Sequence, residues 1–382
     1  MNQPRPQRSD DEWLRADQPG PPLTTLLRQR RGLILGALAL ALVLAVIVLA
    51  GRPAAPLAKP ATIAPSSPAG LPFFGFFPVF AYDAAHRQVA LLNFRDQTWL
   101  WSNNQWTQAH PPVAPPRRTG AAFAWDPGMH EVLLFGGQAY GDQTLLDDTW
   151  AWDGASWSEV GKGGQAPPAS LMSIATYDPV RSEMVLVQSD IHFGTPIQLW
   201  TWNGVAWRQR TDSGGPTSPV AAIAFEPRTR TVIAIAGECS GFECRSQTWS
   251  WDGTTWRQLV PAHEPGFAFY NMSLVPDPRS GRLLLVTVSS NTLGPAPTET
   301  WSWDGQDWVG LQMIGEPGAE VKIVAATGDD GQGTVFAFED VSRDFNTVRI
   351  NAWEWTGTGW SPITATRLRQ RLSTMGGHRS VE

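Results

Sequence analysis

The residues of this chain that could do chemistry are few, and they sit in segments whose composition reads as loop. Cys239 and Cys244 are the only two cysteines. The short stretch between them allows a local bridge, so in an oxidising compartment a disulfide stiffening that loop is expected. Free thiols are the alternative. A metal centre is not expected there, because no histidine or third cysteine lies nearby in sequence. The side chains that could grip a ligand are Tyr140, Asp142, His192, Glu238, Glu243, Arg245, Asn291, Asp340, Arg343 and Asp344, with Glu339 beside them. They offer charge, hydrogen bonding and a phenol ring, which is the chemistry of recognition. No catalytic residue is assigned among them, and no cofactor or metal is called for.

What must position these loops is a repeat. Eighteen of the twenty tryptophans fall in six copies of Trp-x-Trp-x-x-x-x-Trp. They are Trp99/Trp101/Trp106, Trp150/Trp152/Trp157, Trp200/Trp202/Trp207, Trp249/Trp251/Trp256, Trp301/Trp303/Trp308 and Trp353/Trp355/Trp360. Their first members are 51, 50, 49, 52 and 52 residues apart. A period near fifty means one supersecondary unit used six times.

The second copy shows the unit best. The apolar run Gly120–Trp125 ends at Asp126-Pro127, a turn signal. Glu131–Phe135 is branched and aliphatic and stops at Gly136-Gly137. A polar loop follows from Gln138 to Asp147, then the tryptophan hairpin around Asp153-Gly154. That reads as four short strands, a to d. The other first turns follow Asp83, Asp178, Glu226, Asp277 and Asp329, and the other second strands are Val89–Leu92, Met184–Val187, Val232–Ala236, Leu283–Val288 and Thr334–Phe338. Residues i and i+2 of a strand share a face, and the last tryptophan falls across the turn from the middle one. All three therefore line one face of the hairpin. One hairpin cannot bury that face alone, but stacked copies can, and a ring of four-stranded sheets is a β-propeller. A buried tryptophan removes about 150–250 Å² from water, which favours a core role for the motif over an aromatic platform for sugars.

With these features the chain resembles the kelch repeat family and, by extension, the propeller of the galactose-oxidase type. Gly136-Gly137, Asp148-x-Trp150 and Trp157 carry the resemblance, which covers roughly Phe77 to Ile363. Only the second copy keeps both glycines, and Trp-Asp or Trp-Asn stands where many kelch repeats have Tyr-Asp. WD40 repeats share the Trp-Asp pair at 152, 251 and 303, but their period is shorter, about 40–45 residues. The resemblance implies an all-β, six-bladed propeller. Copper oxidation on such a ring would need tyrosine and histidine ligands and a cysteine–tyrosine crosslink. The tyrosines here are Tyr82, Tyr140, Tyr177 and Tyr270, with no His-x-His pair; His110, His192 and His263 fall in different blades. Ser250-Trp251-Asp252-Gly253-x-x-Trp256 echoes the Asp box of sialidases, one residue short.

Gly32 to Gly51 is an uncharged run of Leu, Ala, Val and Ile. As a helix it would span about 30 Å, the thickness of the hydrocarbon core. It is longer than a signal peptide's apolar region and begins further into the chain. Residues 1–31 hold six arginines against Asp10, Asp11, Glu12 and Asp17, a net +2, so the positive-inside rule places them in the cytoplasm. The whole chain carries −6, which leaves −8 for the remainder. An acidic exterior argues against nucleic acid as a partner. The expected organisation is a disordered cytoplasmic segment (1–31), a transmembrane helix (32–51), a Pro/Ala-rich linker (52–71), the propeller (72–365) and a basic flexible tail (366–382). The lead-in Leu71–Phe76 reads as a hydrophobic plug or an edge strand. The functional expectation is a single-pass, extracytoplasmic binding or scaffold module for a protein or an envelope glycan. The alternatives are an extracytoplasmic glycan hydrolase on the same ring and a purely structural envelope component.

Overall fold

The structure is a computed structural model that describes residues 72–363 apart from 73–77, 94, 190–193, 212–213, 241–242, 269–271, 289–297, 312–320, 328–332 and 341–349. The expected transmembrane helix, cytoplasmic segment and basic tail lie outside the described residues, as does most of the lead-in.

Among the described residues twenty-five strands form six antiparallel sheets. Blade 1 is β1 (Val79–Asp83), β2 (Gln88–Leu92), β3 (Thr98–Ser102) and β4 (Gln105–Gln108). Blade 2 is β5 (Arg118–Thr119), β6 (Ala122–Asp126), β7 (Glu131–Ala139), β8 (Leu145–Trp152) and β9 (Trp157–Val160). Blade 3 is β10 (Ser173–Asp178), β11 (Glu183–Gln188), β12 (Gln198–Trp202) and β13 (Trp207–Arg210). Blade 4 is β14 (Val220–Glu226), β15 (Thr231–Ser240), β16 (Glu243–Trp251) and β17 (Trp256–Gln258). Blade 5 is β18 (Ser273–Asp277), β19 (Arg282–Val288), β20 (Thr298–Trp303) and β21 (Trp308–Leu311). Blade 6 is β22 (Val321–Thr327), β23 (Gly333–Asp340), β24 (Ile350–Trp355) and β25 (Trp360–Pro362).

Each sheet takes its strands from one repeat in chain order, so no strand is exchanged among the described residues. In blade 2 the innermost position is shared by β5 and β6, both paired to β7. Gly120 breaks it at a φ of +70°, where an added Cβ would meet the Leu171 carbonyl. The innermost strands pack in turn around an axis, and β22 closes the ring against β1.

The tryptophans fall in the register expected of them. Trp101 pairs with Trp106, Trp152 with Trp157, Trp202 with Trp207, Trp251 with Trp256, Trp303 with Trp308 and Trp355 with Trp360. Every repeat tryptophan is buried except Trp106, Trp249, Trp301 and Trp353, which are half-buried. The last indole of a blade also bolts it to its predecessor. Trp157 Nε1 donates to Thr98 Oγ1, Trp207 to Thr149, Trp308 to Thr248 and Trp360 to Thr300, at 2.8–3.1 Å.

Two kinds of turn hold the opposite end of the blades among the described residues. The carboxylate closing the innermost strand is buried and accepts from turn amides: Asp126 from Gly128 and Met129, Asp178 from Val180 and Arg181, Glu226 from Arg228 and Thr229. In the hairpin between the third and fourth strands, Asp153, Asn203, Asp252 and Asp304 each accept two amides, and the next glycine adopts positive φ. Blade 1 differs. Asn103 and Asn104 both have positive φ, which makes a two-residue turn with Ser102 opposite Gln105.

Two boundaries depart from the sequence reading. The polar loop expected from Gln138 to Asp147 is shorter, since β7 reaches Ala139 and β8 starts at Leu145. The cysteines, expected in a loop, lie on strands: Cys239 stands opposite Cys244 in the β15–β16 ladder, and Cys244 is disulfide-bonded. The ladder runs outward because each added pair satisfies backbone groups that would otherwise need water.

Candidate functional site

Antiparallel strands alternate in direction, so the loops between the second and third strands and the links between blades share one end of the ring. The carboxylate turns and tryptophan hairpins occupy the other. On the loop end, blade 2 supplies one well-formed group among the described residues. Tyr140 is 56% exposed, and the Arg117 guanidinium lies over its ring at 5.0 Å from the centroid. The Tyr140 amide donates to the Arg117 carbonyl at 2.9 Å, which fixes the pair. Asp142 is exposed on the adjoining turn and accepts from the Thr144 amide at 3.1 Å; the Thr144 amide and hydroxyl hold its carboxyl below the ordinary value.

Beneath them Arg118, 4% exposed, donates to both oxygens of Asp148 at 2.6 and 2.7 Å, and to the Gly136 carbonyl at 2.9 Å. Trp150 Nε1 donates to Asp148 Oδ2 at 2.7 Å. Burial would raise the Asp148 carboxyl, but the hydrogen bonds and charge of Arg118, together with the Trp150 N–H, bring it below the ordinary value. This network fixes the end of β8 and the base of the Tyr140 loop.

Blade 4 supplies a second group. Glu238 accepts from Gln247 Nε2 at 3.0 Å, and Gln247 Oε1 accepts from Trp249 Nε1 at 3.2 Å. Arg245 is exposed and pairs its backbone with Gly266 of the following link, which carries Glu264. Partial burial pushes the Glu264 carboxyl up, Arg245 pulls it down and Glu238 pushes it up.

Of the residues expected at the site, Tyr140 and Asp142 come together in blade 2, and Glu238 and Arg245 in blade 4. Glu243 begins β16 opposite Ser240, and Asp340 ends β23 opposite Ile350; for both the backbone alone is described. His192, Asn291, Arg343 and Asp344 lie outside the described residues. Arg117, Arg118, Gln247 and Glu264 belong to the two groups and were not read from sequence. A signal for part of this existed. Gln97, Asp148, Gln247 and Glu299 each stand two residues before a tryptophan, with threonine between, and each accepts that indole N–H.

Of the four tyrosines, Tyr270 lies outside the described residues, and the other three do not converge. Tyr82 and Tyr177 line the axis while Tyr140 stands on the loop end. His263 Nδ1 lies 2.8 Å from Asp307 of the blade 5 hairpin. Among the described residues no cluster of three or more His, Cys, Asp or Glu side chains is placed to hold a metal.

No known family profile and no curated protein matches the chain. Solved structures do. A mutant of AofleA from Arthrobotrys oligospora aligns at 12% identity and a TM-score of 0.50, over 76% of this chain and 87% of that one. The Aleuria aurantia lectin in complex with Fucα1-6GlcNAc aligns at 13% identity and 0.46, over 72% and 90%. A putative oxidoreductase (glucose dehydrogenase) from Thermus thermophilus aligns at 12% and 0.45, over 74% and 98%. At such identities the likeness concerns architecture, and the architecture of this chain is a six-bladed β-propeller with four-stranded blades.

Proposed function

We propose that the chain is a membrane-anchored, extracytoplasmic propeller of the kelch type that captures a protein or an envelope glycan on its loop end. The observation that carries this reading is the division of labour among aromatic residues. The repeat tryptophans are buried or half-buried between blades, whereas Tyr140 stands more than half exposed under a guanidinium and beside Asp142. A ring that presents its face at low conformational cost, next to both signs of charge, is the usual centre of a recognition surface. The rigid ring beneath sets its position. The anchor rests on Gly32–Gly51 and the arginines that precede it. The kelch kinship rests on the period and on Gly136-Gly137.

The test is capture by the full chain, both on a glycan array and from intact envelope extracts. Tyr140→Ala combined with Arg245→Ala should lower capture at least tenfold while the melting temperature stays within about 1 °C, because exposed positions contribute little to stability. Unchanged capture would refute the loop end as the binding surface. Turnover of a glycan by the purified chain would replace this reading with the hydrolase.

A further inference from the structure

The ring encloses an axial cavity of about 860 Å³. The innermost strands of blades 1 to 5 supply its described walls, largely through Val79, Ala81, Ile174, Ala175, Ile223 and Leu274. One position repeats with a single chemical character. The residue just before the buried carboxylate is Tyr82, Trp125, Tyr177 and Phe225 in blades 1 to 4, and each lines the cavity. The equivalence is one of register, since each pairs with the second residue of the following strand: Tyr82 with Val89, Trp125 with Val132, Tyr177 with Met184 and Phe225 with Val232. The rings therefore form a collar at the mouth bordered by the carboxylate turns, the end opposite Tyr140. Pro127, Pro179 and Pro227 stand exposed at that rim and stiffen it.

The collar is not simply more core. The adjacent carboxylates Asp83, Asp126, Asp178 and Glu226 are 0–2% exposed, while all four rings are only half-buried. Trp125 is also the one tryptophan among the described residues that belongs to no triplet. The described lining, from blades 1 to 5, contains no Lys, Arg or His. Its one carboxylate, Asp277, accepts from the Arg279 amide, Ser280 Oγ and Trp355 Nε1. Such walls disfavour a charged guest, which would lose water and gain no counter-charge. Ring faces and scattered hydroxyls of Ser173, Thr176 and Ser273 suit a flat apolar ring with a few polar atoms.

We propose that the axial cavity, collared by Tyr82, Trp125, Tyr177 and Phe225, is a binding site for a small uncharged molecule built on a flat ring, entering from the carboxylate-turn mouth. This site is separate from the loop end, so either can fail without the other. The test uses the full chain with Prodan, an uncharged planar fluorophore whose emission moves to the blue in apolar surroundings. The expected result is one saturable site per chain. Trp125→Ala should weaken it at least tenfold, Trp125→Phe should keep most of it, and Ala175→Phe, which fills the cavity, should abolish it. Tyr140→Ala with Arg245→Ala should leave it unchanged. Melting of the wild-type chain should rise with Prodan concentration, because the guest binds only the folded ring. Non-saturable binding by the wild type overturns the proposal, whatever the variants do. So does a saturable site of the same affinity in Ala175→Phe and Trp125→Ala.

Discussion

The bond between Trp308 and Thr248 should be a measurable part of what joins blade 5 to blade 4. Trp308 is 1% exposed and Thr248 0%, and the indole Nε1 donates to the hydroxyl at 2.9 Å. Thr248→Val keeps the side-chain shape but removes the acceptor. The indole N–H is then buried without a partner, at a cost of about 2 kcal/mol. Trp308→Phe removes the donor and leaves a small void, at about 2–3 kcal/mol. The double variant loses both polar partners together. It should therefore cost about 1–2 kcal/mol less than the sum of the singles. Urea unfolding of the four proteins gives the numbers, provided the denaturant slope is the same in all. Trp256 offers an internal control, because Leu199 stands where the preceding blade would need its threonine. A Leu199→Val, Trp256→Phe cycle should show a smaller coupling. A Trp308–Thr248 coupling within about 0.3 kcal/mol of zero would refute the idea that these bonds hold neighbouring blades together.

Two further predictions concern stability. Asp148→Asn leaves the buried Arg118 guanidinium short of its counter-charge and should cost about 2–4 kcal/mol near neutral pH. Because Asp148 is held below the ordinary carboxylate value, the pair contributes fully above the unfolded pKa of about 3.9, and the contribution is lost as pH falls through the lower folded value. The melting-temperature gap between wild type and Asp148→Asn should thus be constant from neutral pH to about 5 and close below about 4; a gap independent of pH would contradict the assignment. Gly154 and Gly357 occupy equivalent hairpin positions at φ of +93° and +97°, but a Cβ on Gly154 would fall 2.2 Å from the His86 ring of blade 1, whereas Gly357 has open space. Gly154→Ala should cost at least about 1 kcal/mol more than Gly357→Ala in thermal unfolding, the excess reporting the contact between blades rather than backbone strain.

The fold was legible because its determinants are local and repeated. Trp-x-Trp places two rings on one face by the period of a strand, and the turn after them sets the third opposite the second. Asp-Gly and Asn-Gly are read from backbone preference alone. The loop end was legible only in part. Tyr140 and Asp142 are near neighbours in sequence, so their proximity was expected. Arg118 and Asp148 are thirty positions apart and meet through pairing within the blade 2 sheet. The threonine before four of the first tryptophans is visible in every copy that has it, yet its partner is an indole about sixty residues on, in another blade. The cysteines were expected in the loop after the second strand of blade 4, but ladder pairing carried the strands past Gly237.

The amino-acid pattern by itself determined that there would be six units, that each would hold four strands, and that tryptophan would be spent on packing. Those are consequences of periodicity and of the area an indole removes from water. Only the tertiary structure decided which side chains face each other across blades and that four aromatic residues from four separate repeats surround one axial space. Each of those depends on the angle between neighbouring sheets, a quantity that no single repeat contains.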